Sequence, residues 1–134
     1  MERKVEAMRF HLSKAFQLLD DVEVLMQNGR YTSIISRLYY ACFHAASALL
    51  LTHVLISKTH KGLHVLLHQH FVLSGILAPS QAKFFARLFE ERMEDDYGDF
   101  YIADKDDVAS YIDPAKGFIS NIENIINKYV SDQQ

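Results

Sequence analysis

The stretch from Tyr31 to Val54 is apolar on nearly every side of a helix, and this restricts the fold more than any other part of the chain. Tyr31, Ile34, Ile35, Leu38, Tyr39, Cys42, Ala45, Ala46 and Leu49 cover most of its circumference. A helix with no polar face has to be surrounded by other elements. The rest of the chain supplies helices to surround it. Val5, Met8, Leu12, Ala15, Leu19, Val22 and Met26 step by three or four, which predicts a first helix over Glu2 to Gln27, ended by Asn28-Gly29. A third helix is predicted from His60 to Leu73 after the capping groups of Ser57 to Thr59. A fourth runs from Pro79 to Met93, with proline in the first turn where it costs least. Asp95 to Asp104 reads as an acidic, aromatic loop centred on Tyr97-Gly98-Asp99. A fifth helix, Lys105 to Val130, carries Val108, Tyr111, Ala115, Phe118, Ile122, Ile125 and Tyr129 on one face. Pro114 should kink it, or split it so that Asp113 caps a restart. The expected fold is all-α: an antiparallel up-and-down bundle of four to five helices forming a single domain, 1–134.

Composition narrows the setting. One cysteine, Cys42, excludes an internal disulfide and fits a reducing, cytoplasmic compartment. No apolar block follows Glu2, Arg3 and Lys4 as it would in a signal peptide. The apolar run Ala41 to Leu51 is about half the roughly 20 residues a bilayer span needs, so no membrane association is expected. A formal net charge of −3 argues against a uniformly basic nucleic-acid surface but leaves room for a local phosphate site.

Arg37 and His44 lie seven positions apart on that central helix, nearly two turns, and so share one stripe about 10.5 Å apart along the axis. Arginine grips phosphate through a forked, permanently charged group, and histidine moves protons near neutral pH. One phosphodiester could touch both, with His44 as general base or acid on a ribose hydroxyl and Arg37 offsetting phosphoryl charge. The alternative is structural: His44 buried against a carbonyl, and Arg37 paired to an acid such as Asp96. Arg30, one heptad earlier, either extends the basic strip or is simply solvated.

His60, His64 and His68 recur at four-residue steps, which is a workable metal-ligand spacing. No carboxylate or cysteine in that segment completes a motif, so they remain weak candidates beside the reading of a histidine-rich surface. The acids of Arg92-Met93-Glu94-Asp95-Asp96-Tyr97-Gly98-Asp99 lack calcium-loop spacing and read as partners for arginines inside the bundle. Phe84, Phe85, Leu88 and Phe89 mark a partner surface if they stay exposed as a patch.

The segment Ser36-Arg37-Leu38-Tyr39-Tyr40-Ala41-Cys42-Phe43-His44-Ala45-Ala46-Ser47-Ala48-Leu49-Leu50 closely resembles the second-helix signature of the HEPN family. Lys58-Thr59-His60 and the run from Arg92 to Asp96-Tyr97 fall where that family has matching segments, so the resemblance spans almost the whole chain. It implies a helical bundle that dimerises. It also implies an arginine followed after four to six residues by histidine, the motif that in active members forms a metal-independent ribonuclease site between two protomers. Arg37 and His44 fit that spacing as catalytic candidates, and Arg30, Tyr40, Asp96 and Tyr97 are the candidates for binding substrate. No cofactor is implied. The ligand would be RNA or a nucleotide, and a small nucleotidyltransferase is a partner of many members. In one toxin branch a tyrosine two positions after the histidine is nucleotidylated; here that position is Ala46, which speaks against such control. Other members are implied to bind nucleotides or scaffold a partner without cleaving anything.

Overall fold

The computed structural model describes residues 2–97 and 104–133; the side chains of residues 94–97 lie outside that description. Within it the protein is an all-α bundle of five helices: α1 (Glu2–Gln27), α2 (Ile34–Leu51), α3 (His60–Leu67), α4 (Pro79–Tyr97) and α5 (Lys105–Asp132). A π-helical turn, His68–Val72, continues α3.

α2 is the hub and packs against α1, α3, α4 and α5. Its buried set includes Ile34, Ile35, Leu38, Tyr39, Leu49 and Leu50 together with Ala41, Ala45, Ala46 and Ala48. The alanines let neighbouring helix backbones come close, and the larger side chains fill the space around them. At 18 residues and a mean hydropathy of 1.4, α2 is longer than the Ala41 to Leu51 run and meets the length and composition of a bilayer span. Here 61% of that stretch is buried inside the bundle, as suits a core helix that also carries Arg37 and His44.

Side-chain pairs give the helix directions. His11 meets His44 while Asp21 meets Arg37, so α1 and α2 run antiparallel. Arg9 bonds Asn127 while Glu23 pairs with Lys116, so α5 also runs against α1.

α1 ends as the sequence predicts, with Gly29 at φ 67° and Arg30 N–H bonded to the Leu25 carbonyl. Other boundaries differ. Tyr31 to Ser33 form a turn, so α2 starts at Ile34; it ends at Leu51, before Val54. There Leu55 N–H reaches the Leu50 carbonyl and Val54 N–H the Leu51 carbonyl, a closing motif that normally uses glycine. Val54 occupies the left-handed position itself, at φ 56°. The third helix is α-helical only to Leu67. α4 continues through Asp95 and Asp96 to Tyr97, where a loop was expected; Gly98 and Asp99 lie outside the described residues. Nor does α5 restart at Asp113: it is one helix with Pro114 inside it. Pro114 is exposed, so the carbonyl left without a partner one turn earlier lies on the water-facing side, where solvent can satisfy it.

α3 begins with Thr59, whose Oγ1 accepts the Gly62 N–H at 2.9 Å. Gly62 is fixed by space. A Cβ there would stand 2.5 Å from Ser57 Oγ and 2.7 Å from Thr59 Oγ1, and both hydroxyls are held by hydrogen bonds of their own.

The aromatic run on α4 does not stay exposed as a patch, so the condition for reading it as a partner surface is not met. Phe85 and Leu88 are buried, and Phe84 and Phe89 are half-buried against the core.

Candidate functional site

α1 and α2 form the walls of an open groove of about 710 Å³. Phe10, Lys14 and Asp21 face it from α1, at the three-to-four spacing that keeps side chains on one stripe. Ser33, at the cap before α2, and Arg37, Tyr40 and His44 of α2 face it with the same spacing. The two residues that sequence spacing placed on one stripe therefore line one groove.

Arg37 is loosely held. Its Nη1 lies 3.4 Å from Asp21 Oδ2 and its Nε donates to Ser33 Oγ at 3.5 Å. The side chains of the pair remain 40% and 56% exposed, so the guanidinium can exchange this contact for a phosphate at little cost. Among the described residues its carboxylate partner is Asp21, and the Asp96 side chain proposed from the sequence lies outside the description.

His44 is half-buried and meets another imidazole, not a carbonyl. Its Nδ1 lies 3.0 Å from Nδ1 of His11 on α1, with ring centroids 5.3 Å apart. Burial lowers the His44 pKa first, and the neighbouring His11 and Lys14 push it the same way. Burial lowers His11 as well. At neutral pH both rings are uncharged, and His44 keeps a basic nitrogen. His11 was absent from the sequence reading because its partner is fixed by the register between two helices, which one helix's periodicity does not reveal.

Tyr40 lines the same groove. Its hydroxyl accepts a 2.8 Å bond from Arg92 Nη2 of α4, which leaves its own proton available for a ligand. The Arg92 guanidinium also lies over the Tyr40 ring, 4.9 Å from its centroid, and 5.6 Å from that of Tyr39. Arg30 is exposed in the turn before α2 and is not among the residues lining the groove. The side chains of Asp96 and Tyr97 lie outside the described residues.

The histidine series divides. His60 Nδ1 and His64 Nε2 turn inward to the buried Tyr39 hydroxyl, at 2.9 Å and 3.4 Å. His64 stacks on Phe85 with centroids 4.2 Å apart. Burial, followed by the charge of His60, lowers the His64 pKa to about 4. His68 is exposed on the π-helical turn. Among the described residues, no group of three or more His, Cys, Asp or Glu side chains is placed to hold a metal ion. Cys42 is fully buried, and burial pushes its thiol far above the ordinary range, away from the reactive thiolate.

A family model described as the HEPN domain matches residues 8–125. A UPF0332 protein of Thermotoga maritima is 34% identical over 126 residues, covering 94% of this chain and 96% of its own. A UPF0332 protein of Archaeoglobus fulgidus is 32% identical over 124 residues, covering 92% and 98%. A Methanocaldococcus jannaschii protein named "Putative toxin MJ0605" is 29% identical over 113 residues, covering 82% and 81%.

Proposed function

The chain belongs to the HEPN domain family, and from that premise we propose that it is a metal-independent endoribonuclease of toxin type, acting as a homodimer. The observation that carries this reading is the shared groove of Arg37 and His44, open to solvent and flanked by Lys14. The toxin name borne by the Methanocaldococcus relative favours the same direction.

In the proposed reaction a phosphodiester lies along the groove. His44 Nε2 takes the proton of the ribose 2′-hydroxyl, whose oxygen attacks phosphorus. Arg37 leaves Asp21 and offsets the charge that grows on the phosphoryl oxygens. The departing 5′-oxygen takes a proton from the second protomer's copy of His44, which serves as acid only in its protonated form, a minor fraction at neutral pH because burial lowers its pKa. A two-fold axis brings identical patches together, which is how one chain could supply both a base and an acid.

A second reading follows from the net charge of −3. Broad RNA affinity needs many phosphate contacts, so a nucleotide-binding subunit that docks a small nucleotidyltransferase is the alternative. One experiment separates the two. The purified protein is incubated with varied RNAs in the presence of chelator, alongside His44→Ala and Arg37→Ala, and its mass is measured by sedimentation. Cleavage by a dimer that either substitution abolishes supports the nuclease. A monomer, or equal behaviour of all three proteins, refutes it and leaves the binding subunit.

A further inference from the structure

The contact between His11 and His44 is unusual in joining the same atom of two rings, Nδ1 to Nδ1, at 3.0 Å. Such a pair holds only if one nitrogen carries a proton and the other does not. With both bare there is no bond, and with both protonated two N–H groups collide. His44 opens on the α1–α2 groove, whereas His11 lines a separate, mostly apolar depression of about 300 Å³ beside Phe43 and Ser47. The two rings thus form a partition between two cavities, with their Nδ1 atoms facing inward.

We infer that His11 is a positioning residue for His44: its bare Nδ1 accepts the His44 Nδ1–H, which fixes the His44 ring and leaves His44 Nε2 unprotonated toward the groove. The inference rests on the ribonuclease reading for its catalytic consequence, but the state of the rings can be observed without it. The tautomer of a histidine is set by the bond its other nitrogen makes, and here an uncharged imidazole fills the role a carboxylate fills in a hydrolase triad. As His44 takes a proton at Nε2 it becomes an imidazolium whose Nδ1–H still points at His11 Nδ1. The charge is then shared with a neutral ring and not with a carboxylate, so the proton stays easy to return. The charged and titratable groups that surround the pair are few. α1 supplies Lys14 and, further along, Asp21; α2 supplies Arg37 and Tyr40. From α3, His60 touches Phe43, and from α4, Arg92 touches Tyr40, each one residue removed from contact with His44. Among the residues lining the groove, none comes from α5.

The test compares wild type with His11→Phe, His11→Asn and His11→Gln, using histidine labelled with ¹⁵N. Asparagine can place an amide atom near the former Nδ1, while glutamine places it nearer the former Nε2. The expected wild-type spectrum at neutral pH has His44 protonated on Nδ1 and bare on Nε2. His11→Phe should mix the two tautomers and lower kcat for RNA by about 10- to 100-fold at unchanged KM. His11→Asn should restore most of both signals, and His11→Gln neither. If His11→Phe leaves tautomer and kcat alone, the positioning role is refuted while the nuclease stands; if wild-type His44 is protonated on Nε2, the positioning role and the use of Nε2 as base both fall, and RNA cleavage by the wild type then shows only that another group is the base. If the tautomer responds as expected in a protein that cleaves no RNA, the positioning role is upheld and the nuclease reading fails. Thermal melts identify any variant that has not folded, and His11→Leu then replaces His11→Phe.

Discussion

His64 should make this protein lose stability in weak acid, and replacing it by phenylalanine should remove much of that loss. The ring is half-buried against Phe85, with its Nε2 turned to the Tyr39 hydroxyl. Its pKa falls from 6.5, the value expected in the unfolded chain, to about 4 in the fold, through burial first and the nearby His60 second. Between those two values the unfolded chain binds the proton and the folded one does not, so stability rises with pH. The contribution is complete above about pH 6.5, shrinks as pH falls, and is gone near pH 4. Full burial would make that interval worth about 3 kcal/mol, and solvent screening of a half-buried ring reduces it to about 2 kcal/mol. His64→Phe keeps the stacked ring and cannot titrate. Urea melts of both proteins at pH 7.5, 6.5, 5.5 and 4.5 supply the comparison. Carboxylates and the other histidines titrate in both proteins, so the difference between the two curves isolates His64. The expected result is near-equal stability at pH 7.5 and a variant that gains about 2 kcal/mol on wild type by pH 4.5. Parallel curves would refute the claim that His64 is held neutral in the fold.

Three further substitutions probe other parts of the chain. Gly62→Ala should destabilise by about 1–2 kcal/mol in chemical melts although helix propensity favours alanine by about 1 kcal/mol, because the new Cβ displaces the hydroxyls of Ser57 and Thr59; a more stable variant would show that the cap can move aside. Val54→Gly should raise stability by roughly 1 kcal/mol, since it relieves a β-branched residue at φ 56° on an exposed turn, and a lower melting temperature would contradict the strain. Asp21→Asn should change stability by less than about 0.5 kcal/mol, as expected of an exposed ion pair, yet tighten RNA binding in a filter assay by freeing Arg37 and removing an anion from the groove; weaker binding would assign Asp21 to ligand contact.

The bundle was legible because its signal is local. The α1 stripe from Val5 to Met26 and the Asn28-Gly29 stop are set by neighbours within one helix, and the structure reproduces both ends of α1. The misread boundaries all depend on tertiary context. Tyr31 continues the apolar pattern of α2, but it packs against the core from a turn. Val54 ends α2 in a conformation its own propensity opposes. Pro114 is tolerated because its face of α5 is wet, a fact that periodicity does not record. At the site the same division holds. The shared stripe of Arg37 and His44 follows from seven positions on one helix. The partners of both, Asp21 and His11, come from α1 and required the register between helices. His60 and His64 show the opposite failure: four-residue spacing suggested outward ligands, whereas the size of the Tyr39 and Phe85 cluster drew both rings inward.

The acidic total and the phosphate-binding reading are compatible once charge is considered by place. Among the described residues lining the groove, Lys14 and Arg37 stand against the carboxylate of Asp21, so this set is cationic on a chain whose net charge is −3. Two neutral imidazoles add no charge at rest, and in the proposed reaction one gains it only while a proton is in transit. A groove of this kind attracts a single phosphodiester at short range and offers little to a duplex or a long strand, whose affinity accumulates over many contacts. Doubling the groove across a two-fold axis would double the cations facing the phosphate and leave the acidic exterior to limit indiscriminate binding. The arrangement therefore predicts cleavage that depends steeply on protein concentration near the dimer dissociation constant and weakly on salt, with a slope of log affinity against log salt of about one to three. A slope near ten would mean a binding surface far wider than the groove between α1 and α2.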